Sequence, residues 1–305
     1  MHLWLKGGLA LLGYTASVFA HAAPITLAEA KGWNAFIRQD FISQQSDSEG
    51  RLAVGGNAYL QSYSVNSFAL PGTALQAGGR IEIKNGQING DAQAQAISQQ
   101  SAGLTGSFTQ AEPSPTWAGQ WQFLEQMSAW LDGNSLGTFS TAERKPWGEI
   151  VLTGYGPLGV FDLEADWFEG ASSLRVSGFD PGATLILTIQ GETLKLKNMD
   201  LSTVFDPFNV LINLPDALSI DIRNTSPHAH FLAPLAEVTG ANGHITGTVV
   251  ANQWNSSLEL HSRPFRDYET GKPGPQARQV PEPGALALIG LGLLVLGMRR
   301  KPSRR

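Results

Sequence analysis

The sequence predicts a mainly β protein, a discontinuous β-solenoid with an α-helical segment inserted around residues 92–131. Two features of the composition favour β structure with many turns: the chain has 34 glycines in 305 residues, and only 15% of its residues are charged. The third observation is a hexapeptide pattern, N-G-x-I-x-G, which begins at Asn85 and again at Asn242. A β-sandwich with generic glycine turns is the alternative fold.

The hexapeptide places a single isoleucine, Ile88 or Ile245, between two turn signals. Such a unit cannot bury its apolar side chain alone, so we expect coils of this kind to stack on one another. Because the two copies lie far apart and the repeat period is not uniform, the pattern indicates a solenoid interrupted by insertions rather than a regular repeat array.

Short strands separated by glycine and proline turns make up most of the body. Residues 50–60, 63–70 and 78–86 each hold a short apolar or alternating run that closes on a turn signal. Residues 183–189 and 210–214 are apolar runs typical of buried strands.

One region departs from this pattern, because residues 116–131 carry apolar side chains at helical spacing. The preceding stretch, 91–102, is rich in Gln and Ala and is predicted as a second helix, so that the two form a helical hairpin or cap on the β body. The three tryptophans of the segment 116–131 could form a carbohydrate platform, but a stripe at this spacing is more typical of a core.

Residues 1–22 are predicted to be a secretory signal peptide. Lys6 supplies a positive charge ahead of an apolar stretch, and the small residues Ala20 and Ala22 favour cleavage just before Ala23. This interpretation implies the Sec translocon and signal peptidase as partners. The body contains no cysteine, so its stability must come from packing and hydrogen bonds rather than disulfides. The net charge of −5 argues against nucleic acid as a partner.

Three features follow one another near the C-terminus: the motif Pro281-Glu282-Pro283, an uncharged apolar run over residues 284–298, and the basic residues Arg299, Arg300 and Lys301. Together residues 281–305 resemble the PEP-CTERM sorting signal of Gram-negative bacteria, which the membrane protease-transpeptidase exosortase recognises and processes. The apolar run would span about 22 Å as a helix, which predicts a short transmembrane segment in the precursor. The basic residues predict a cytoplasmic C-terminus.

The body, residues 23–268, resembles the choice-of-anchor A family of bacterial surface domains in three stretches: 36–60, 210–220 and 231–265. The resemblance implies an adhesive or structural surface module that carries no catalytic residues. Residues 269–280 are rich in Pro and Gly, lack apolar periodicity and are predicted to be a linker.

Candidate chemistry in the body is sparse, and no metal site or cofactor is predicted. His228 and His230 would share a face of a strand and could hold a metal, although solvated histidines in a turn are the simpler interpretation. Asp40, Asp47 and Glu49 could bind Ca²⁺, but they lack EF-hand spacing and favour a capped loop. Four acidic residues could supply the carboxylate pair of a glycosidase; they are Asp162, Glu164, Asp166 and Glu169.

The predicted function is therefore non-enzymatic: an exported adhesive or structural protein that passes through the inner membrane as a precursor. It would reach the cell surface or the extracellular matrix of a Gram-negative bacterium, with extracellular polysaccharide as the candidate ligand. The alternatives are a polysaccharide-active enzyme and an ice- or crystal-binding solenoid. The last would need a flat face rich in threonine, which Thr246 and Thr248 alone do not provide.

Overall fold

The computed structural model describes residues 22–111, 117–133, 136 and 140–275. The strands before the long helix are β1 (Ala22–Ile25), β2 (Ala35–Ile37), β3 (Phe41–Ser48), β4 (Leu52–Val54), β5 (Ala58–Val65), β6 (Thr73–Ala77), β7 (Arg80–Lys84), β8 (Gln87–Ile88), β9 (Asp91–Ala94), β10 (Ala96–Gln100), β11 (Gly103–Leu104) and β12 (Phe108–Gln110).

The long helix is α1 (Trp117–Gly133). The strands that follow it are β13 (Ser140–Arg144), β14 (Glu149–Gly154), β15 (Leu158–Glu164), β16 (Ser173–Ser177), β17 (Thr184–Gln190), β18 (Thr193–Lys197), β19 (Asn209–Asn213), β20 (Ser219–Arg223), β21 (His230–Ala241), β22 (His244–Thr246), β23 (Val249–Ser256), β24 (Glu259–His261) and β25 (Tyr268–Pro273). A short helix, α2 (Ser202–Phe205), precedes β19, and two 3₁₀ turns cover Ala28–Gly32 and Ala165–Trp167.

Twenty of these strands form one sheet whose neighbours are parallel, as expected when successive coils of a solenoid stack on each other. The apolar side chains that alternate along the strands point inward and form one continuous core. The predicted mainly β, solenoid-like fold is therefore confirmed, and the β-sandwich alternative is wrong.

The solenoid is discontinuous because its first coil stacks on its last. β2 pairs with β23 through Ala35 and Val249, and β3 pairs with β23 through Phe41 and Trp254. At this junction the Phe41 and Trp254 rings stack with their centroids 5.5 Å apart and their planes within 2°. The coils up to β12 lead away from the junction on one side, and the coils from β15 to β24 approach it from the other.

The two hexapeptides occupy equivalent turns of the solenoid. Ile88 and Ile245 are fully buried, as the sequence pattern predicts. The Asn that begins each hexapeptide has a positive φ, 50° at Asn85 and 58° at Asn242, a region that Asn tolerates better than most residues. The glycine after each Asn lies against the backbone of the preceding coil, where a Cβ would lie 2.1 Å from a carbonyl oxygen.

Helix α1 packs lengthwise on the outside of the solenoid, as predicted for this segment. It forms a second core with outward-facing apolar residues of the strands beneath it, in which Trp121 is buried and Trp117 stacks on Phe36 at 4.4 Å. Ser128 Oγ donates a hydrogen bond of 2.6 Å to Asn213 Oδ1 at the centre of this contact. The tryptophans of α1 therefore contribute to packing rather than to an exposed carbohydrate platform.

The prediction of a second helix over residues 91–102 is wrong. Strand β9 pairs with β6, and β10 pairs with β7, so this stretch continues the parallel coils. Ala92 and Ala94 point into the core while the glutamines between and after them face outward or lie on the surface. The helix preference of Ala and Gln is worth only tenths of a kcal/mol per residue, and the hydrogen bonds offered by the preceding coil outweigh it.

The two ends of the described chain pair with each other. Strand β1 runs antiparallel to β25, with Ala22 opposite Pro273 and Ile25 opposite Tyr268. The first residues of the predicted linker, 269–273, therefore form a strand, which corrects that boundary. Strand β25 carries no apolar pattern because it lies on the surface and alternates between exposed and half-buried positions.

Strands β13, β14 and β16 form a second, three-stranded sheet, and Ile150, Leu152 and Leu174 of this sheet belong to the solenoid core. Within the described residues no helix is both long and apolar enough to cross a membrane. The predicted transmembrane segment, 284–298, lies outside the described residues.

Candidate functional site

One regular surface of the solenoid is a row of eight parallel strands, which we call the ladder face: β18, β20, β21, β23, β3, β5, β7 and β10. Because adjacent strands lie about 4.7–4.9 Å apart, the eight strands extend over roughly 33 Å. Their outward side chains align in two columns. The first column is Lys195, Asp221, Thr239, Asn255, Ile42, Tyr59, Glu82 and Ser98. The second contains Lys197, Arg223, Ala241, Gln44, Gln61, Lys84 and Gln100.

The half of the ladder face from β18 to β21 is covered by ion pairs. Lys197 and Arg223 both bind the carboxylate of Asp221, at 2.8 and 2.7 Å. Burial raises the pKa of Asp221, but the hydrogen bonds from these two cations outweigh it, so the pKa lies below its usual value. Because these charged side chains already pair with each other, they would interact only weakly with a charged ligand. This half is therefore poorly suited to binding.

The other half forms an open groove of about 620 Å³ across β3, β5, β7, β10 and the end of β23. Its floor carries a row of three amides, Gln44, Gln61 and Gln100, with Lys84 between the last two. Beside this row lie the half-buried Tyr59 and the 36% exposed Ile42. The rest of the lining includes four serines, Ser43, Ser98, Ser256 and Ser257, together with Leu60, Glu82, Ile83, Gly240 and Asn255.

One edge of the groove is set by four stacked turns with left-handed backbone. Gln45, Ser62, Asn85 and Ser101 each follow the second column directly, and their φ angles all lie between 50° and 52°. Since the chain turns at the same place in four successive coils, the groove ends along a straight line.

Chemically, the groove offers amide and hydroxyl groups that can donate and accept hydrogen bonds, together with one aromatic ring and one aliphatic side chain. Its acidic residue, Glu82, is paired with Arg80 at 3.2 Å. Lys84 adds one cation, and the combination suits a hydroxyl-rich and extended ligand that makes many weak contacts. These residues could not be recognised as a group in the sequence, because coils of unequal length hide the columns.

The four acids considered for glycoside hydrolysis are all exposed. Asp162 and Glu164 lie on β15, Asp166 lies in the adjoining 3₁₀ turn, and Glu169 forms an ion pair of 2.9 Å with Lys195. The hydrogen bond from Lys195 lowers the pKa of Glu169. A glycosidase acid needs the opposite shift, which burial in an apolar pocket supplies.

The acids considered for calcium bind different partners. Asp40 Oδ1 accepts from the Asn57 backbone at 2.7 Å, Asp47 accepts from Ser67, and Glu49 accepts from the backbone of Ser262. Each carboxylate therefore binds its own partner on another coil, and the three hydrogen bonds share no group.

The structure separates the two histidines considered for a metal. His230 is buried against Phe265, and its Nδ1 accepts a hydrogen bond of 3.0 Å from the Thr248 backbone. His228 lies instead at the surface beside Asp206, 3.0 Å from Nδ1 to Oδ1. Thr248 is buried, so it offers nothing to an ice-like surface.

The residues predicted to direct export lie at or beyond the limits of the described chain. Ala22 and Ala23 belong to β1, whereas Ala20 lies outside the described residues. The motif Pro281-Glu282-Pro283 and the basic residues Arg299, Arg300 and Lys301 also lie outside them.

Comparison with known families identifies most of the chain. Residues 26–262 match the family described as "Putative Ice-binding-like adhesive domain". The chain belongs to this family. Residues 279–301 match the PEP-CTERM protein-sorting motif, which implies exosortase-dependent export to the surface of a Gram-negative bacterium. The resemblance to choice-of-anchor A domains is compatible with this family.

Among solved structures, an ice-binding protein from the Antarctic ascomycete Antarctomyces psychrotrophicus is similar over 80% of this chain and 99% of its own, with 11% identity and a TM-score of 0.40. An ice-binding protein from an Antarctic biological consortium is similar over 86% of this chain and 95% of its own, with 11% identity and a TM-score of 0.34. The competence-associated pilin ComZ of Thermus thermophilus covers 80% of this chain and 72% of its own, at 10% identity and a TM-score of 0.35. No curated protein matches the chain.

Proposed function

We propose that the exported body is a non-enzymatic adhesive module that binds extracellular polysaccharide through the groove of the ladder face. The observation that carries the proposal is the row of amides formed by Gln44, Gln61 and Gln100, which together with Lys84 on the third coil span four successive coils. Membership in an adhesive family and an exosortase sorting motif are consistent with this role.

The physical argument rests on repetition. Side chains repeated at the strand spacing meet an extended polymer with many equivalent contacts, each of which contributes about 0.5–1.5 kcal/mol as a net hydrogen bond. Tyr59 adds a ring on which the apolar face of a sugar can pack. Several such contacts along one polymer produce useful avidity without a deep pocket.

The test is retention of the protein in native gels that contain dissolved polysaccharide, with exopolysaccharide from the producing bacterium and a neutral β-glucan as probes. The double variant Tyr59→Ala/Gln61→Ala should bind at least tenfold more weakly, since a tenfold change corresponds to about 1.4 kcal/mol. The matched control is Gln126→Ala, an exposed position on α1, which should bind like the parent protein. Equal retention of parent and double variant would contradict the proposal.

Ice is the competing ligand that the family's description suggests. The columns of the ladder face contain Thr239 among lysines, acids, glutamines and Tyr59, so they lack the regular threonine face that this alternative needs. Ice-recrystallisation assays on the same two variants separate the possibilities. Loss of ice activity in the double variant, with no retention by either polysaccharide, would favour the ice-binding alternative.

The route to the surface completes the proposal. A precursor held in the inner membrane by residues 284–298 would be processed by exosortase near Pro281-Glu282-Pro283, after signal peptidase cleaves before Ala23. The polysaccharide-rich matrix that it would then enter supplies the ligand.

A further inference from the structure

A file of three histidines lies on the solenoid away from the groove. His228, His244 and His261 come from successive coils, with ring centroids 5.8 Å apart for the first pair and 4.0 Å for the second. The rings of His244 and His261 are nearly parallel, at 13°. Glu259 lies beside the second pair, with its Oε2 3.3 Å from Nε2 of His261.

The parallel register explains why these groups meet. His244 of β22 pairs with Glu259 of β24, and His261 follows Glu259 by two residues. Residues two apart on a strand point to the same side, so all three side chains project from one face. Their ligand atoms lie within 4.8 Å of one another. Among the described residues, His244, Glu259 and His261 are the group of three potential metal ligands that the fold brings together.

A neutral imidazole is the form that binds a metal ion, and the fold brings two imidazoles and one carboxylate together here.

We propose that His244, Glu259 and His261 bind one zinc-type divalent ion, a site that the sequence did not predict. Two imidazoles and one carboxylate are a ligand set that Zn²⁺ uses, whereas Mg²⁺ and Ca²⁺ prefer oxygen ligands alone. Zinc bonds of 2.0–2.2 Å place tetrahedral ligand atoms about 3.3 Å apart. The distance between Glu259 Oε2 and His261 Nε2 already has this value. Small side-chain rotations would bring a ring nitrogen of His244 to the same distance from them.

The ion would join two successive coils near the junction of the solenoid. β24 continues onto the first coil, since Leu260 pairs with Ser48 of β3. Three protein ligands leave a fourth position for water, and Glu259 lies exposed at the surface. His228 is not part of the set, because Asp206 holds its ring, and Asp206 is itself bound by Arg263 at 3.3 Å.

The proposal is tested by isothermal titration of the metal-free full chain, purified without a histidine tag, with ZnCl₂. We expect one Zn²⁺ per chain with micromolar or tighter affinity, and no binding heat with MgCl₂. At a hundredfold excess over Kd, Zn²⁺ should raise Tm by roughly 5–10 °C. His261→Ala and Glu259→Gln should each weaken binding at least 30-fold, and His228→Ala should change it less than threefold.

Glu259→Gln keeps the test valid if His261→Ala fails to fold, because Glu259 is exposed and its replacement preserves shape. Circular dichroism of each variant without metal checks folding. The proposal is overturned if the parent protein shows no binding heat, if Glu259→Gln binds like the parent, or if His228→Ala weakens binding as much as Glu259→Gln does.

Discussion

Gly243 illustrates how single residues permit the coils to stack. A Cβ at this position would lie 2.1 Å from the Thr225 carbonyl oxygen, and that oxygen belongs to backbone that cannot move without disturbing the adjacent coil. Gly86 meets the carbonyl of Tyr63 at the same distance in the other hexapeptide. The second position of the hexapeptide is therefore glycine because the coils approach too closely there for any side chain.

We predict that Gly243→Ala lowers the free energy of unfolding by about 1–3 kcal/mol, the usual range for overpacking. The matched control is Gly119→Ala in α1, where a Cβ would meet nothing within 4 Å. Because Ala is a better helix former than Gly by about 1 kcal/mol, the control should be neutral or stabilising. Urea unfolding of the three proteins measures the effect, and equal midpoints for the two variants would contradict it.

His230 predicts a dependence of stability on acid pH. Burial, together with the nearby charges of Arg263 and Arg266, lowers its pKa to about 3. The unfolded chain protonates this residue near pH 6.5. The stability that neutral His230 contributes is therefore complete above pH 6.5, falls as pH drops from 6.5 towards 3, and changes no further below that.

The variant His230→Asn isolates this effect, since the Asn oxygen can still accept from the Thr248 backbone. Between pH 7 and pH 4 the parent protein should lose on the order of 3 kcal/mol more stability than the variant. Urea unfolding at both pH values supplies the comparison. Acidic residues titrate in both proteins and cancel in the difference, so a difference that stays constant across this range would refute the prediction.

The file of three histidines shows what the sequence could have revealed at this scale. His228, His244 and His261 are spaced 16 and 17 residues apart, which is close to the coil length in this part of the chain. The spacing is informative only once the coil length is known. His228 and His230 do not share a strand face, because His228 lies in the loop before β21 and His230 begins the strand and is buried in the core.

At the scale of elements, α1 was predictable from the sequence and the strands within residues 91–102 were not. The apolar side chains of α1 recur at helical spacing, and this period marks a face that must be buried. The stretch 91–102 has no comparable period, so only the composition of Ala and Gln suggested a helix. Its strand conformation comes from pairing with β6 and β7, which are distant contacts that local preference does not encode.

The ladder face was hidden for a related reason. Gln44 and Gln61 are 17 residues apart, but the next steps of the same column, to Lys84 and Gln100, take 23 and 16 residues. Turns of unequal length absorb the difference while the strands stay in register. A search for a fixed period therefore cannot align the groove residues, although each lies at an exposed position of its own strand.

At the scale of the whole molecule, the hexapeptides were enough to predict a discontinuous solenoid but not where its coils join. The junction brings together Phe41 and Trp254, which are 213 residues apart in the chain. In the sequence, Phe41 and Trp254 are typical core aromatics, since either could be buried in any inward-facing strand position. The contact between the first and last coils depends on the shapes of the two stacks of coils once they have folded. No local sequence pattern describes those shapes.

The pairing of β1 with β25 links this architecture to export. It places the predicted signal-peptidase site at Ala22–Ala23 beside Pro273, and seven residues then separate Pro273 from the sorting motif. Removal of the signal peptide before Ala23 would leave Pro24 and Ile25 paired with Glu269 and Tyr268. The predicted signal-peptidase site therefore lies at the edge of the body that β1 and β25 form.

We predict that deletion of residues 281–283 leaves the body folded but unprocessed in the inner membrane. The reason is that exosortase would lose its recognition motif while the apolar run and the basic residues after it still hold the precursor. Deletion of residues 276–278, just before the matched sorting motif, is a control of equal length and should be processed normally. Immunoblots of membrane and surface fractions, with mass spectrometry of the C-terminus, measure the outcome. Release of the 281–283 deletion at the rate of the control would show that export does not depend on this motif.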